Sequence, residues 1–204
     1  MSSLFSYVVE HDMGFAPHPF GRICSLANCK PQIRMAATVG DYVIGTGSAQ
    51  DKMAGRLIYW MLIDEVVSFD QYWSDPRFKG RRPVMNGSDR QRYGDNIYYT
   101  GDDGVVRQLD SFHSEPDGVT SQGNLKRDTG TTNRVLLGEN FAYFGANAPD
   151  IPPDIAQIVK KGPGHKRHFS EATKSAAVGW FTGIESRGLQ GEPVGWVRKR
   201  KKSK

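Results

Sequence analysis

Two cysteines and five histidines are the side chains of this sequence best suited to chemistry. Cys24 and Cys29 have four residues between them, which is not the spacing of a zinc knuckle, and no further cysteine completes a cluster. We therefore predict no metal site and interpret both cysteines as small buried hydrophobic residues. The alternative is an enzyme with Cys24 as a thiol nucleophile. Its acid and base would come from His11, Asp12 and His113.

Common catalytic motifs are missing from the sequence. It has no phosphate-binding loop, dinucleotide fingerprint, Gly-x-Ser-x-Gly elbow or His-Glu-x-x-His pair. Residues 45–48 (GTGS) follow an apolar run but lack the third glycine and the lysine of such loops. We interpret them as a tight bend or bulge after a strand, whose amides can still line a pocket because glycine admits a close approach. No cofactor is predicted.

Aromatic residues are interleaved with arginines over much of the chain. Phe15 and Phe20 precede Arg22, for example, and Trp73 precedes Arg77. Rings that stack on bases, next to guanidinium groups that contact phosphates, are typical of nucleic-acid-binding proteins. Because a protein of this size also needs most of its rings for the core, this pattern alone favours nucleic-acid binding only weakly.

Positive charge is concentrated at the C-terminus. The formal net charge is +5, and six of the last seven residues are basic: Arg198, Lys199, Arg200, Lys201, Lys202 and Lys204. The rest of the chain is therefore close to neutral. We expect either a solvated, disordered end or a segment that attracts nucleic acid non-specifically by releasing counterions from phosphates.

Length and composition predict one folded domain. The 204 residues are 38% hydrophobic and 11% aromatic, which is typical of a folded protein rather than a disordered chain. We predict a single domain over residues 1–190 and a basic, disordered tail over residues 191–204. No apolar run reaches about eighteen residues and the start does not resemble a signal peptide, so we expect a cytoplasmic protein without membrane contact.

The first elements that must position these residues are a strand and a loop. Residues 4–10 are apolar, with β-branched and aromatic members, and predict a strand. Residues 12–22 contain two prolines and two glycines, so we expect a structured loop there rather than a strand or helix. Residues 23–28 are compatible with one or two helical turns before Pro31 interrupts them.

The middle of the chain predicts strands and one short helix. The longest apolar stretch, residues 56–67, predicts one long strand buried on both faces because it is rich in β-branched and aromatic residues. Ser68 followed by Gln71 predicts a capped helix that ends before Pro76. Residues 96–100 and 105–109 predict a hairpin. The polar residues 114–134 predict a long excursion that is either mobile or functional.

The last third of the chain completes the expected architecture. Residues 134–137 and 141–144 predict two strands, and residues 153–161 predict a helix with proline near its start. A further helix is expected from Ser170, as its N-cap, to about Phe181. The strands are not separated by regular crossover helices. We therefore predict the α+β class, with a small curved or barrel-like sheet and flanking helices.

Several segments resemble known families. Residues 39–48, 56–67, Phe69 and residues 75–78 are similar to the signature segment of the EVE, YTH and ASCH group of PUA-like domains. More closely, residues 4–185 resemble the family called nucleotide modification associated domain, type 2. The segments that carry this second resemblance are residues 5–9, 11–12, 14–17, 19–20, 24–31, 33–34, 40–41, 45–48, 94–99, 141–145 and 162–166.

These resemblances imply a PUA-like (EVE- or ASCH-like) barrel and an association with phage and bacterial systems that make or sense modified nucleotides. In PUA-like relatives a cleft receives a flipped or unpaired base between rings. We expect the loop over residues 12–22 to fold over the strand before residues 45–48 and form such a slot. The predicted ligand-binding residues are Asp12, Phe15, Phe20, Asn28, Lys30, Arg34, Thr46 and Ser48.

Each of these residues has an expected role. Rings at positions 15 and 20 would wall the slot, Asp12 and Asn28 would read a base edge, and Lys30 and Arg34 would contact phosphate. We therefore predict a module that recognises a modified base or nucleotide in DNA or RNA. A nucleotide-modifying enzyme using the same pocket, and a host–phage interaction protein without a working pocket, stay open. Phe20→Ala and Arg34→Ala are expected to weaken binding without unfolding the protein.

Overall fold

The computed structural model describes residues 2–202. In chain order its strands are β1 (Leu4–Val9), β2 (Cys24–Leu26), β3 (Tyr42–Gly47), β4 (Leu57–Leu62), β5 (Glu65–Val67), β6 (Tyr98–Thr100), β7 (Val106–Gln108), β8 (Val135–Gly138), β9 (Phe141–Tyr143), β10 (His165–Lys166) and β11 (Gly188–Leu189). Its α-helices are α1 (Pro31–Ala36), α2 (Phe69–Ser74), α3 (Asp89–Arg92), α4 (Gln122–Thr129), α5 (Glu171–Gly183) and α6 (Val194–Lys202). Short 3₁₀ helices cover Pro76–Arg81, Gly145–Asn147 and Pro153–Ile158.

Three sheets carry these strands. The largest has the order β10-β1-β3-β4-β9-β11, the second has the order β2-β8-β5, and β6 and β7 form a two-stranded hairpin. In the large sheet β1 runs parallel to β3, and β3 runs antiparallel to β4. The α+β class is therefore confirmed.

The expected closed barrel is not found among residues 2–202. The large sheet begins at β10 and ends at β11, and each of these outer strands has only two residues, so the sheet stays open. The pairing of β3 with β4 shifts its register between Gly45 and Thr46, which is the bulge predicted there. Glycine is required at position 45 because a Cβ would lie 2.4 Å from the ring of Tyr59.

The apolar stretch over residues 56–67 forms two strands rather than the one long strand predicted. β4 ends at Leu62, and β5 then joins the second sheet by pairing with β8. The carboxylate of Asp64, between the two strands, accepts a hydrogen bond from the backbone N–H of Glu139 at 2.7 Å. Asp64 thus interrupts the apolar run, because its side chain binds the backbone of Glu139, outside β4 and β5.

Two predicted helical segments adopt other conformations. Residues 24–26 form β2, because pairing with β8 on one side and a bridge from Ser25 to His18 on the other override the local preference. Residues 153–158 form a 3₁₀ helix instead of the α-helix predicted over residues 153–161. The C-terminal segment forms α6 where a disordered tail was predicted. Lys204 lies outside the described residues.

Local signals elsewhere are confirmed. Ser68 and Gln71 form the predicted capping box of α2. The Ser170 side chain accepts a hydrogen bond from the backbone N–H of Thr173 and caps α5. The predicted hairpin is present as β6 and β7. Within residues 2–202 no helix combines the length and the apolar character needed to cross a lipid bilayer.

Candidate functional site

A cleft of about 510 Å³ opens where β1 ends. The end of β1, the start of α1, α4 and the connection before α4 contribute to its walls. Its volume is in the range of small-molecule sites, and its lining includes the rings of Tyr7, Phe15 and Phe112. Six residues matter most for its chemistry: His11, Phe15, Cys29, Lys30, Phe112 and His113.

Two phenylalanines line this cleft. Phe15 is buried, whereas Phe112 is 42% exposed. Their ring centroids lie 5.6 Å apart in an edge-to-face arrangement, and Phe15 makes a second edge-to-face contact with His113 at 4.5 Å. The buried ring is thus fixed by its neighbours, and the exposed ring is available to a ligand.

A cysteine, a histidine and an aspartate form a compact cluster at this cleft, with their ligand atoms within 4.8 Å of one another. The Sγ of Cys29 is 3.6 Å from Nε2 of His113, and Nδ1 of His113 is 3.0 Å from Oδ2 of Asp128. We call these three residues the cleft triad. Burial raises the pKa of the Cys29 thiol to about 11, and the nearby charge of Asp128 adds to this effect.

Asp128 is the centre of the network behind the cleft triad. Its Oδ2 accepts from the hydroxyl of Tyr98 at 3.0 Å, and its Oδ1 accepts from Nε of Arg127 and the backbone N–H of Cys29, both at 2.9 Å. Burial by itself would raise the pKa of Asp128. Hydrogen bonds from His113 and Arg127 outweigh burial and lower that pKa to about 2, so Asp128 is ionised at neutral pH.

Local backbone geometry presents Cys29 to the cleft. Cys29 and Lys30 have φ angles of +58° and +44°, a left-handed conformation that residues other than glycine rarely adopt. The buried side chain of Arg34 holds this segment, because it donates to the backbone carbonyls of Cys29, Asp128 and Arg134 at 2.6–2.9 Å. One guanidinium therefore fixes the thiol relative to the carboxylate of the same triad.

Two depressions containing basic residues adjoin the cleft. His165, which lines the cleft, also lines a neighbouring depression with Lys160, Lys161 and Lys166. Its pKa is lowered by partial burial and by nearby cations, which marks this side as positively charged. His11 is shared with a second depression, which is lined by the basic residues Arg198, Lys199 and Lys202 of α6 and also by Asp12 and Asp51.

Four of the residues singled out from the sequence line this cleft. They are His11, Phe15, Lys30 and His113. The Nζ of Lys30 lies over the ring of Tyr7, 4.8 Å from its centroid. The cleft thus lies at the end of β1, not over the strand before residues 45–48 as the sequence suggested.

Two residues expected to read a base edge have other partners. Asp12 accepts hydrogen bonds from the hydroxyl of Tyr143 and, at 3.0 Å, from the backbone N–H of Val194, so it anchors the start of α6. Burial raises the pKa of Asp12. The amide of Asn28 donates to the backbone carbonyl of Asp95 at 2.9 Å.

The other ligand residues expected from the sequence are buried in structural roles. Phe20 stacks on Trp196 with the two rings only 10° from parallel, and Arg34 is fully buried against backbone carbonyls. The hydroxyl of Thr46 donates to the carbonyl of Tyr7, and the Ser48 hydroxyl accepts from a backbone N–H. Phe20→Ala and Arg34→Ala are therefore expected to destabilise the protein, contrary to the expectation from sequence.

The structure pairs His113 with Cys29 rather than with Cys24. Cys24 is fully buried in β2, and burial raises the pKa of its thiol well above the usual range. The sequence interpretation did not assign Cys29, Asp128 or Phe112 to a site. The one available signal was the polar excursion over residues 114–134, which contains Asp128 and is of the kind that is either mobile or functional.

Basic residues of the C-terminal segment divide into paired and exposed groups. Arg198 pairs with Asp51, and Arg200 pairs with Glu192. Lys199 donates to the hydroxyl of Tyr93 at 2.7 Å. Two further lysines, Lys201 and Lys202, are exposed at the end of α6.

The cleft triad is also a possible set of metal ligands, since its three ligand atoms lie within 4.8 Å of one another. The carboxylate of Asp128, however, already accepts hydrogen bonds from four groups on its two oxygens. The guanidinium of Arg127 also brings a positive charge next to the position of the ion. The donor set therefore fits proton transfer better than cation binding.

Comparisons with known proteins add one match. The sequence model of a family described as nucleotide modification associated domain 2 matches residues 1–200. Curated proteins and solved structures gave no match.

Proposed function

Because the chain belongs to the nucleotide modification associated domain 2 family, we propose that it recognises a modified base or nucleotide of a nucleic-acid strand in the cleft. Membership of this family supports a role in nucleotide modification systems. We place that role in a phage or bacterial modification or defence system. As in the PUA-like domains that the sequence resembles, the base would be held between rings. The proposal does not depend on a closed barrel, since the cleft lies at the end of β1 in an open sheet.

The observation that carries this proposal is a cleft lined by aromatic rings that adjoins two depressions containing basic residues. Phe112 offers a partly exposed face for stacking, and Phe15 supports it from behind. Stacking of one base on an aromatic side chain contributes about 1–3 kcal/mol. A heterocycle fits a cavity of about 510 Å³, which leaves room for a substituent on the base.

The flanking charges suit the phosphates of a strand that continues beyond the bound nucleotide. The lysines near His165 adjoin the cleft at one place, and the basic residues of α6 adjoin it at another, near His11. A strand with its base in the cleft can therefore continue towards either group of basic residues. Such contacts release counterions, so binding of an oligonucleotide should weaken with salt more steeply than binding of a nucleoside.

A ligand screen tests this proposal. The melting temperature of the protein is measured with a panel of modified nucleosides, 5′-nucleotides and short single strands of DNA and RNA. We expect a member of the panel to raise the melting temperature, and Phe112→Ala to weaken its binding about five- to ten-fold. The DNA and RNA arms decide which polymer is bound.

Tyr99→Ala is the matched control variant. Tyr99 is a partly exposed ring outside the cleft, stacked on Trp73 with 4.1 Å between centroids. Its loss should leave binding unchanged. The proposal fails if no member of the panel binds, or if Phe112→Ala and Tyr99→Ala weaken binding equally.

A further inference from the structure

We propose that the cleft triad is a catalytic centre in which Cys29 attacks an acyl group carried by the nucleotide and transfers that group to water. This inference rests on the proposed function, because it takes the bound nucleotide as the carrier of the acyl group. The substrate class is a nucleobase or nucleotide that bears an amide or ester substituent. Cys29 is the nucleophile, His113 the acid and base, and Asp128 the group that orients His113.

The distances support these three roles. A nucleophile, a base within hydrogen-bond reach and a third group that orients the base define nucleophilic catalysis independently of fold. The thiol of Cys29 lies 3.6 Å from Nε2 of His113, and Nδ1 faces the carboxylate of Asp128 at 3.0 Å. The carboxylate accepts the proton on Nδ1, so Nε2 keeps its lone pair. The thiol of Cys29 at 3.6 Å and Nη2 of Arg127 at 3.3 Å both approach this nitrogen.

A second observation independently singles out Cys29. Cys29 and Lys30 both have a left-handed backbone, a strained conformation for residues other than glycine that is concentrated at active sites. The backbone N–H of Cys29 donates to Asp128, so one carboxylate positions both the nucleophile and its base. Cys24 has no comparable setting, because it is fully buried within β2.

Proton transfer accompanies the attack in this scheme. Because burial raises the pKa of Cys29 to about 11, the resting group is a thiol rather than a thiolate. His113 therefore removes the proton as sulfur approaches the substrate, as a general base does for a hydroxyl nucleophile. Asp128 is ionised and stabilises the imidazolium that forms.

The reaction balances with water as its co-reactant. Sγ forms a bond to the carbonyl carbon, and the electron pair of the carbonyl moves to oxygen. This pair then returns and breaks the bond from carbon to the nitrogen or oxygen of the base, which takes the proton from His113. Water attacks the resulting thioester and gives its proton to Nε2. Collapse releases a carboxylic acid and restores the thiol of Cys29.

An activated ester tests the nucleophile separately from nucleotide binding. The full chain is mixed with p-nitrophenyl acetate, and the release of nitrophenolate and the mass of the protein are followed. We expect a burst of about one equivalent and an acetyl group on the peptide that contains Cys29. Cys29→Ala should abolish the burst, and Cys24→Ala, the control, should retain it.

The pH profile distinguishes a base from a merely structural histidine. His113→Gln should slow acylation at neutral pH about 100-fold or more. The variant can then react only through the thiolate, so its remaining rate should rise with pH towards the pKa of the Cys29 thiol, about 11. A structural histidine would leave the shape of the pH profile the same in both proteins. Asp128→Asn should slow acylation while leaving the acetylated residue the same.

The final arm uses N4-acetylcytidine 5′-monophosphate, with free acetate as the product measured. Release that Cys29→Ala abolishes supports the full scheme. No burst, a burst that persists in Cys29→Ala, or one equivalent of Zn²⁺ bound through Cys29 without acetylation would overturn the inference. If nucleotides bind but no acyl group is transferred, this inference fails and the proposed function stands. If Cys29 is acylated but no nucleotide binds, the proposed function is wrong, and so is the assignment of a nucleotide as the substrate.

Discussion

Two buried aspartates gather the same kinds of partner in different parts of the molecule. Asp95 accepts hydrogen bonds from Ser25 at 2.6 Å and from the hydroxyl of Tyr72 at 2.8 Å. The buried guanidinium of Arg81 donates to Ser25 at 2.6 Å and completes what we call the closed network. Asp128 likewise has a tyrosine and an arginine, and with the cleft triad they form the open network.

The difference between the two networks is access to solvent. Arg81 is 8% exposed, whereas the side chain of Arg127 is 42% exposed. In the closed network the charged groups are buried beside β2, so the network can only hold strands and loops together. In the open network a thiol and an imidazole line a cleft. The same residue types thus give structure in one place and a chemically accessible site in the other.

The largest effect should come from replacing the two arginines in turn. Arg81→Met should lower the free energy of unfolding by about 3–5 kcal/mol, because it leaves a buried carboxylate without its opposing charge. Arg127→Met, the matched control, removes a partly exposed guanidinium and should cost about 1 kcal/mol. The buried carboxylate of Asp128 keeps His113 and Tyr98 as partners in this variant. Urea unfolding measures both. Equal losses would contradict the distinction between closed and open networks.

The next effect is a loss of stability in mild acid. His18 lies beside the closed network, and burial lowers its pKa from 6.5 to about 4. As the pH falls from about 6.5 to 4 the unfolded chain takes up a proton that the folded protein does not, so stability falls by about 3 kcal/mol. His18→Gln should remove this loss. If its unfolding profile over that range matches the wild-type profile, the histidine is not held neutral.

The open network should respond at lower pH. The pKa of Asp128 falls from 3.8 to about 2 on folding, so its contribution is present in full above about pH 5. It is lost as the pH falls towards 2, and it amounts to about 2 kcal/mol. Asp128→Asn should lower the free energy of unfolding by this amount at neutral pH. Between pH 4 and 2 the free energy of unfolding of the variant should change less than that of the wild type. If the variant is as stable as the wild type at pH 7, ionised Asp128 does not stabilise the fold.

The smallest effect concerns ligand binding. Replacing Lys201 and Lys202 with glutamine should reduce the salt dependence of oligonucleotide binding by about 0.7 in logarithmic slope for each phosphate that is no longer neutralised. Lys79→Gln neutralises an exposed lysine on the 3₁₀ helix that carries Arg81, and it serves as the control. Unchanged slopes in both variants would show that the end of α6 does not touch the strand.

Short-range features of this protein could be predicted from its sequence, and long-range ones could not. The caps at Ser68 and Ser170 depend on residues three positions away, so the sequence indicates them directly. The cleft triad joins Cys29 to partners 84 and 99 residues further along the chain. No local pattern encodes such a pairing, and for this reason the sequence alone suggests the wrong cysteine as the partner of His113.

Two of the predicted ligand residues have partners in the C-terminal segment, and one physical cause accounts for both. Asp12 and Phe20 would face a ligand only if the tail were disordered, as the sequence predicts. Folding of the tail into α6 supplies their partners, the backbone N–H of Val194 and the ring of Trp196. A polar or aromatic side chain is free for a ligand only when no other element covers it, and coverage is a property of the whole fold.

The three hydrogen bonds of Arg34 limit which residues near the cleft could change if the protein were to bind a different ligand. Because they tie the backbone carbonyls of Cys29, Asp128 and Arg134 to one guanidinium, we expect these three segments to move together or not at all. Adaptation to a bulkier or differently shaped ligand would therefore fall to side chains that this guanidinium does not hold, above all Phe112 and Lys30. Retargeting the protein would mean varying those two positions and keeping the three tied segments unchanged.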